Sequence, residues 1–212
     1  VLVSNGVDLD IFKMGLTPES KANLKKELNI AEDETILVTT SRLALKNGLD
    51  DLVKSINHLV YKIGIKTKLI ILGTGPDEQK LKDLAQRDGV GDNVIFMGYK
   101  PYNELPKYVE MADIFIRPSL SEGFGNSFIE AMAVRTPIIG TEVGGIPDFL
   151  HEGETGLFCK VRDHISIADA VAKYVKNPEL YKTIQDKGQK IVLEKYSWNK
   201  IASQMDRVFK NM

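Results

Sequence analysis

Short apolar runs alternate along the chain with longer segments in which apolar residues recur every three or four positions. Most of the runs are rich in Val, Ile, Leu and Phe and show no polar alternation, which is typical of strands buried on both faces. The predicted strands are Ile36–Thr40, Lys68–Leu72, Asn93–Met97, Asp113–Arg117, Pro137–Gly140 and a weaker Gly156–Cys159.

The segments between the runs have helical periodicity, for example the apolar stripe that runs from Leu49 to Ile63. Repeated strand–helix–strand order requires parallel strands joined by right-handed crossovers. We therefore expect a doubly wound α/β sheet of about six strands. The predicted helices are Pro18–Leu28, Gly48–Ile63, one with Pro76 in its first turn, Asn103–Met111, Asn126–Val134, Ile165–Val175, Pro178–Leu193 and Trp198–Lys210.

Length and composition place this sheet in one domain. The chain has 212 residues, of which 43% are hydrophobic and 27% charged, as in globular domains. We expect residues 1–34 to lead into the sheet, 35–160 to form it and 161–212 to close it with helices. The first residue is Val rather than Met, so we also expect the chain to begin inside a longer protein.

Charge and cysteine content exclude several classes of function. Twenty-eight Lys and Arg against 29 Asp and Glu give a net charge of -1, which argues against a nucleic-acid partner. The single cysteine, Cys159, cannot form an internal disulfide or a cysteine zinc site and is expected in the core. No apolar stretch approaches the roughly 18–20 residues that span a bilayer.

Glycine and polar residues collect directly after the predicted strands. Because ligands of open parallel sheets bind outside the carboxyl ends of the strands, we expect a ligand site at this edge, with glycines that let the ligand approach the backbone. The loops concerned are Ser41–Gly48, Gly73–Pro76, Gly98–Tyr99, Pro118–Gly125 and Thr141–Gly145.

One of these loops has the features of a phosphate site. Gly123 and Gly125 precede a helix that begins near Asn126, where unpaired N–H groups and the helix dipole favour anions. Arg42 follows the first full strand and can bind the same phosphates with its planar guanidinium. The alternative is that the glycines serve only a tight turn.

Two glutamates flank the same helix start. Glu122 lies in the loop, and Glu130 lies in the helix with its side chain leaning back toward the loop. A carboxylate beside a phosphate site is useful as an acceptor for the paired hydroxyls of a ribose. The alternative for Glu130 is an acid that only compensates the helix dipole, worth about 0.3–1 kcal/mol.

The segment Ser119-Leu-Ser-Glu122-Gly-Phe-Gly-Asn-Ser-Phe-Ile-Glu130-Ala-Met-Ala resembles the E-x7-E signature of retaining glycosyltransferases of the GT-B architecture, in particular the group 1 (family 4) set. The resemblance covers residues 1 to about 200 and implies the Rossmann-like C-terminal, donor-binding half of that architecture. Further motifs follow in the family's order: Asn5-Gly-Val-Asp8, Ser41-Arg-Leu43, Gly73-Thr-Gly-Pro76, Val94-Ile-Phe-Met-Gly98, Ala112-Asp113, Pro137 and Gly144-Gly-Ile-Pro147.

The resemblance implies a role for each matching residue. Glu130 would bind the ribose, Glu122 the transferred sugar, and Arg42 the diphosphate together with backbone amides near Phe124. Glu122 and Arg42 are the implied catalytic residues, and the loop Gly98–Lys100 would frame the base. The implied donor-binding positions are Glu130, Gly123, Phe124, Gly125, Asn126, Lys46, Gly73, Gly75, Tyr99 and Gly6.

The implied donor is a UDP-, GDP- or ADP-sugar, which is transferred with retention and without an essential cofactor or metal. Implied partners are a glycan, lipid or small-molecule acceptor and an N-terminal acceptor domain that this chain lacks, so we expect little activity from the chain alone. The implied location is cytoplasmic, with peripheral contact to the inner membrane surface as an option. The apolar face of the Trp198–Lys210 segment suits that contact, although packing against the domain or a missing partner accounts for it better.

Three positions depart from the family pattern. The family usually has a lysine directly before the glycine of the phosphate loop, whereas this chain has Lys46 one position early, in Lys46-Asn47-Gly48. Arg135 replaces a common glycine, and Asp148 stands where glutamate is frequent. The displaced Lys46 leaves its phosphate contact open.

Two other functions remain open at this stage. One is a non-catalytic nucleotide-binding module, and the other is a sugar-nucleotide epimerase of similar architecture.

Two weaker motifs are set aside. Asp8-Leu-Asp10 resembles a metal motif but fits a turn better, and Gly73-Thr-Gly75 is half of a dinucleotide fingerprint whose third glycine position holds Glu78.

Overall fold

A computed structural model of the protein describes residues 4–210. Six parallel strands form one sheet in the order β3-β2-β1-β4-β5-β6, which confirms the doubly wound α/β prediction. The strands are β1 Thr35–Thr40, β2 Thr67–Leu72, β3 Val94–Gly98, β4 Ile114–Arg117, β5 Ile138–Thr141 and β6 Leu157–Cys159. The chain builds the sheet outward from β1 in one direction and then returns to add β4, so the strand order reverses between β1 and β4.

Successive residues of the strands point into two separate cores. Val38 and Ile70 belong to the core on one face of the sheet, whereas Leu37 and Leu69 belong to the core on the other. All four are fully buried. Both faces are therefore covered, and this explains why the strand segments show no polar alternation.

The described residues form eight α-helices, seven of which contribute side chains to the two cores. Helices α2, α3 and α6 pack into one core, and α4 and α5 pack into the other. The side chains of Thr17, Asp163 and Asn177 cap the starts of α1, α6 and α7. The helices are α1 Pro18–Glu27, α2 Leu49–His58, α3 Glu78–Arg87, α4 Leu105–Met111, α5 Asn126–Ala133, α6 His164–Lys176, α7 Pro178–Ile191 and α8 Trp198–Lys210.

The helix boundaries differ from the predictions at several ends. The segment after α2 continues as a wider π-helical turn over Leu59–Ile63 and stops at Gly64, whose φ of 80° is left-handed. Pro76 lies before α3 rather than in its first turn. Residues Tyr102–Glu104 form a 3-10 turn ahead of α4, so the apolar periodicity identified these helices better than it identified their ends.

Segments that are far apart in the sequence meet beside α8. Val7 forms an isolated bridge with Ser197, and its N–H donates to the carbonyl of Tyr196 at 2.7 Å. Within α8 the side chain of Ile201 is buried, whereas Trp198 and Phe209 are 47% and 71% exposed. Within the part of the chain that the structure describes, no helix is long and apolar enough to cross a membrane.

Cys159 lies in the core, as expected. Its thiol is buried and contacts the carbonyl of Gly140 at 3.4 Å. Burial raises the pKa of this thiol to about 12, so the residue is an inert packing group rather than a nucleophile.

Candidate functional site

A cleft of about 930 Å³ lies at the carboxyl edge of the sheet. It is formed by the loops that follow β1 to β4 and by the first turns of α5, at the point where the strand order reverses. Most of the residues singled out in the sequence line this one cleft: Arg42, Gly73, Gly75, Tyr99, Glu122, Phe124, Gly125, Asn126 and Glu130.

Three of the predicted site residues do not line the cleft. Gly6 packs against α8, where a Cβ would lie 3.1 Å from the ring of Trp198. Lys46 is exposed, and its carbonyl accepts a hydrogen bond from the N–H of Leu120 at 2.7 Å. Gly123 uses its carbonyl to accept from Gly145 at 2.8 Å. All three therefore support loops around the cleft rather than its wall.

The glycines after β2 have a structural role that the sequence did not reveal. A Cβ on Gly73 would lie 1.9 Å from the carbonyl oxygen of Ser41, and one on Gly75 would lie 2.2 Å from that of Leu43. Gly73 also has a left-handed φ of 136°. Glycine is required here because two loop backbones touch each other, which brings both loops to the wall of the cleft.

The loop after β1 explains the displaced lysine. Asn47 stands directly before Gly48, and its side-chain amide donates to the carbonyl of Arg42 at 2.6 Å. Asn47 is buried, so the residue directly before Gly48 stabilises the loop by an internal hydrogen bond. Arg42 is exposed at the cleft and presents a cation there.

Helix α5 begins at the cleft, at Asn126. Gly125 precedes it with a left-handed φ of 93°, and a Cβ at this position would lie 2.9 Å from the ring of Phe128. The first N–H groups of a helix have no partner within the helix. The start of α5 is thus a favourable place for an anion.

Glu122 is held by a buried arginine. Its carboxylate forms an ion pair with the guanidinium of Arg117, and the hydroxyl of Ser119 lies 3.5 Å from it. The Glu122 and Arg117 side chains are only 15% and 11% exposed. Arg117 also donates to the hydroxyl of Ser127 at 2.8 Å, which ties the loop to α5.

Glu130 is held by a tyrosine from another loop that lines the cleft. The Tyr102 hydroxyl donates to its Oε1 at 3.0 Å, and the Tyr102 ring packs on Phe12 with centroids 5.3 Å apart. Burial raises the pKa of Glu130, while the Tyr102 hydrogen bond and the charge of Arg117 lower it in part. The side chain of Glu130 contacts the cleft, so dipole compensation alone does not account for it.

The sequence interpretation missed Arg117, Tyr102 and Ser127 as members of the site. One signal for Arg117 was available, because it is a charged residue at the end of an otherwise apolar strand. Among the described residues, Arg117 Nε and the hydroxyl of Ser41 are buried without a hydrogen-bond partner. Both residues line the cleft, and a buried polar atom without a partner calls for a local explanation.

The described residues offer no metal centre. No group of three or more His, Cys, Asp or Glu residues in 4–210 is arranged to hold a metal ion. The side chain of Asp8 accepts hydrogen bonds from the N–H groups of Asp10 and Ile11, at 2.9 and 3.3 Å. The Asp8-Leu-Asp10 motif therefore forms a turn.

Comparison with known proteins gives the family. The family model described as "Glycosyl transferases group 1" matches residues 20–191. The chain belongs to this glycosyltransferase family. It is 32% identical over 93% of its length to N-acetyl-alpha-D-glucosaminyl L-malate synthase of Bacillus anthracis, of which it covers 50%.

A second relative of this group 1 glycosyltransferase domain is GDP-mannose-dependent alpha-(1-6)-phosphatidylinositol monomannoside mannosyltransferase of Mycobacterium tuberculosis. The two are 31% identical over 94% of this chain and 53% of the relative. The chain thus spans about half the length of the curated relatives it matches.

Solved structures share the fold. A crystal structure of Anabaena HepE in complex with UDP and glucose superposes with a TM-score of 0.89 at 19% identity, over 99% of this chain and 56% of that one. The sheet and helices match the Rossmann-like C-terminal domain of GT-B glycosyltransferases. At this identity the likeness shows the fold only.

Proposed function

We propose that this chain is the nucleotide-sugar-binding half of a glycosyltransferase that retains anomeric configuration. The main support for this proposal is that one cleft is lined by Glu122, Glu130, Arg42 and the start of α5. Group 1 family membership and the ligands named for related proteins, GDP-mannose and UDP, support the same donor class.

Each group of cleft residues suits a different part of the donor because of its charge. The N–H groups at the start of α5 and the guanidinium of Arg42 suit the diphosphate. The carboxylate of Glu130 suits the two ribose hydroxyls, because it accepts hydrogen bonds and is already oriented by Tyr102. The carboxylate of Glu122 accepts hydrogen bonds from the hydroxyls of the transferred sugar, and the loop that contains Tyr99 contacts the base.

Transfer in this scheme needs no nucleophile from the protein. The bond from the anomeric carbon to the diphosphate oxygen breaks, the acceptor oxygen attacks from the same face, and its proton passes to the departing phosphate. Positive charge at the start of α5 and on Arg42 stabilises the negative charge that develops on the leaving group. We propose that the acceptor contacts come from a further domain, because the chain covers about half of its relatives.

Titration calorimetry with UDP, GDP and ADP tests the donor site. We expect one nucleotide to bind with a dissociation constant between about 1 μM and 1 mM and Glu130→Ala to weaken it about tenfold, because a charged hydrogen-bond acceptor is lost. Glu27→Ala removes the same charge from an exposed position in α1 and should leave binding unchanged. Failure of all three nucleotides to bind would refute the proposal.

A non-catalytic nucleotide-binding module is a second candidate, favoured by the exposed Lys46 outside the cleft. Product assays on the full-length protein separate the two functions. Loss of sugar transfer in Glu122→Ala, with nucleotide binding retained, would exclude the module. We expect the 212-residue chain alone to transfer sugar weakly, and efficient transfer by this chain would contradict the two-domain scheme.

A further inference from the structure

Arg117 is an unusual residue for its position in the sheet. It is the last residue of β4, a strand whose other members are Ile, Phe and Ile, and its residue exposure is only 9%. Its side chain nevertheless ends at the wall of the donor cleft. Burial lowers the pKa of its guanidinium, and the charges of Glu122 and Glu130 oppose that effect.

Three neighbours fix the guanidinium in one place. It pairs with the Glu122 carboxylate, its Nη1 donates to the Ser127 hydroxyl at 2.8 Å, and its Cζ lies 5.2 Å from the centre of the Phe128 ring. These contacts join the end of β4 to the loop after it and to the start of α5. The guanidinium holds the Glu122 carboxylate through one oxygen, while the N–H of Gly123 donates to its Oε1 at 3.0 Å.

Stability alone does not explain this arrangement. A buried ion pair is often no better for stability than well-packed apolar residues of similar volume, because both charges lose their hydration. Here Arg117 Nε is also buried and has no hydrogen-bond partner within the described residues, which adds to the cost. An arrangement of this kind at a cleft wall is better explained by the orientation that it gives to Glu122.

We propose that Arg117 is a positioning residue for the transferred sugar: by pairing with Glu122 it holds that carboxylate toward the sugar, and it acts on the donor only through Glu122. The proposal rests on the sugar-binding role given above to Glu122. It assigns the diphosphate to Arg42 and the start of α5, because the Nη1 and Nη2 atoms of Arg117 are already used by Ser127 and Glu122.

Comparison of ligands with and without the sugar tests this assignment. Binding of UDP and UDP-glucose, and of GDP and GDP-mannose, is measured by calorimetry for the wild type and for Arg117→Met, which keeps an unbranched apolar side chain. We expect the nucleotide-sugar that binds the wild type to lose about tenfold in affinity, as for a lost charged hydrogen bond, while its nucleoside diphosphate changes by less than about twofold. Arg117→Lys, which keeps the charge, should recover part of the loss.

A double-mutant cycle separates action through Glu122 from direct action. In the Glu122→Gln background, Arg117→Met should cause no further loss of nucleotide-sugar affinity. If Arg117→Met alone fails to fold, the double variant can still be measured. Glu122→Gln replaces the carboxylate that would otherwise be left buried without its partner. Thermal unfolding of each variant confirms that folded protein is compared.

The outcomes are distinct. Equal weakening of nucleotide-sugar and nucleoside diphosphate would place Arg117 on the phosphates and overturn the proposal, as would unchanged binding of both. A further loss in the Glu122→Gln background would show that Arg117 acts on its own. If no nucleotide binds even the wild type, the proposed function fails instead.

Discussion

Removal of one hydroxyl group, in Tyr102→Phe, should change the pH dependence of donor binding. The Tyr102 hydroxyl donates to Glu130 at 3.0 Å and stabilises the ionised carboxylate that accepts the ribose hydroxyls in our proposal. Phenylalanine keeps the ring that packs on Phe12. The substitution therefore removes a hydrogen bond without opening a cavity.

The expected size follows from the exposure of the pair. A hydrogen bond to a charged group contributes about 1.5–3 kcal/mol when it is shielded from water. Tyr102 is 43% exposed, so we reduce this to about 1 kcal/mol. Loss of this hydrogen bond disfavours the ionised carboxylate, so the pKa of Glu130 should rise.

The direction of the change in the pH midpoint follows from the ionised state of Glu130, which is the state that binds the donor in our proposal. Burial already raises the pKa of Glu130, and donor affinity falls as the pH drops through that pKa because the protonated carboxyl loses an acceptor. Loss of the Tyr102 hydroxyl raises the pKa further. The pH midpoint of binding should consequently move upward in the variant.

Calorimetric titrations with a nucleotide-sugar between pH 5 and 8 measure this midpoint. A nucleotide-sugar is the suitable probe, because both of its phosphates are esterified and keep their charge over this range. Tyr61→Phe is the matched control, since Tyr61 lies outside the cleft and is 59% exposed. Coincident pH profiles for Tyr102→Phe and the wild type would refute the reasoning.

Two further predictions concern the scaffold of the cleft. Gly73→Ala should destabilise the fold by about 2–4 kcal/mol in urea unfolding, through a left-handed φ and a contact with the Ser41 carbonyl. Gly15→Ala, which meets nothing within 4 Å, should change stability by less than about 0.5 kcal/mol, and equal effects would contradict this account. The buried thiol of Cys159 should react with iodoacetamide at pH 8 only when the protein unfolds, as followed by mass spectrometry, and rapid native-state alkylation would contradict its burial.

The residues of the cleft differ in how far the sequence could predict them. Strand β1 was identifiable because its residues are buried on both sides, and burial on both faces leaves an unbroken apolar run. Glu122 and Glu130 were identifiable from their spacing around a helix start. The signals for β1, Glu122 and Glu130 are all local, because each comes from residues within one strand or about two helical turns.

Contacts between distant segments could not be predicted in this way. Tyr102 reaches Glu130 from a 3-10 turn on another loop, and nothing in the sequence near either residue specifies that approach. Gly73 lines the cleft, but its contact with another backbone was not predictable, because a glycine pattern does not distinguish approach of a ligand from approach of a second loop. The partner of that backbone, Ser41, lies on a different loop.

The bridge between Val7 and Ser197 has a consequence for the order in which the protein folds. It joins segments near opposite ends of the described chain, so its formation closes a very long loop and gains little until the sheet already exists. Helix α8 adds little burial to stabilise the bridge, because Ile201 is its buried residue and Trp198 is half exposed. We therefore expect this region to assemble last and to open first in hydrogen exchange, while the amide groups of the sheet stay protected.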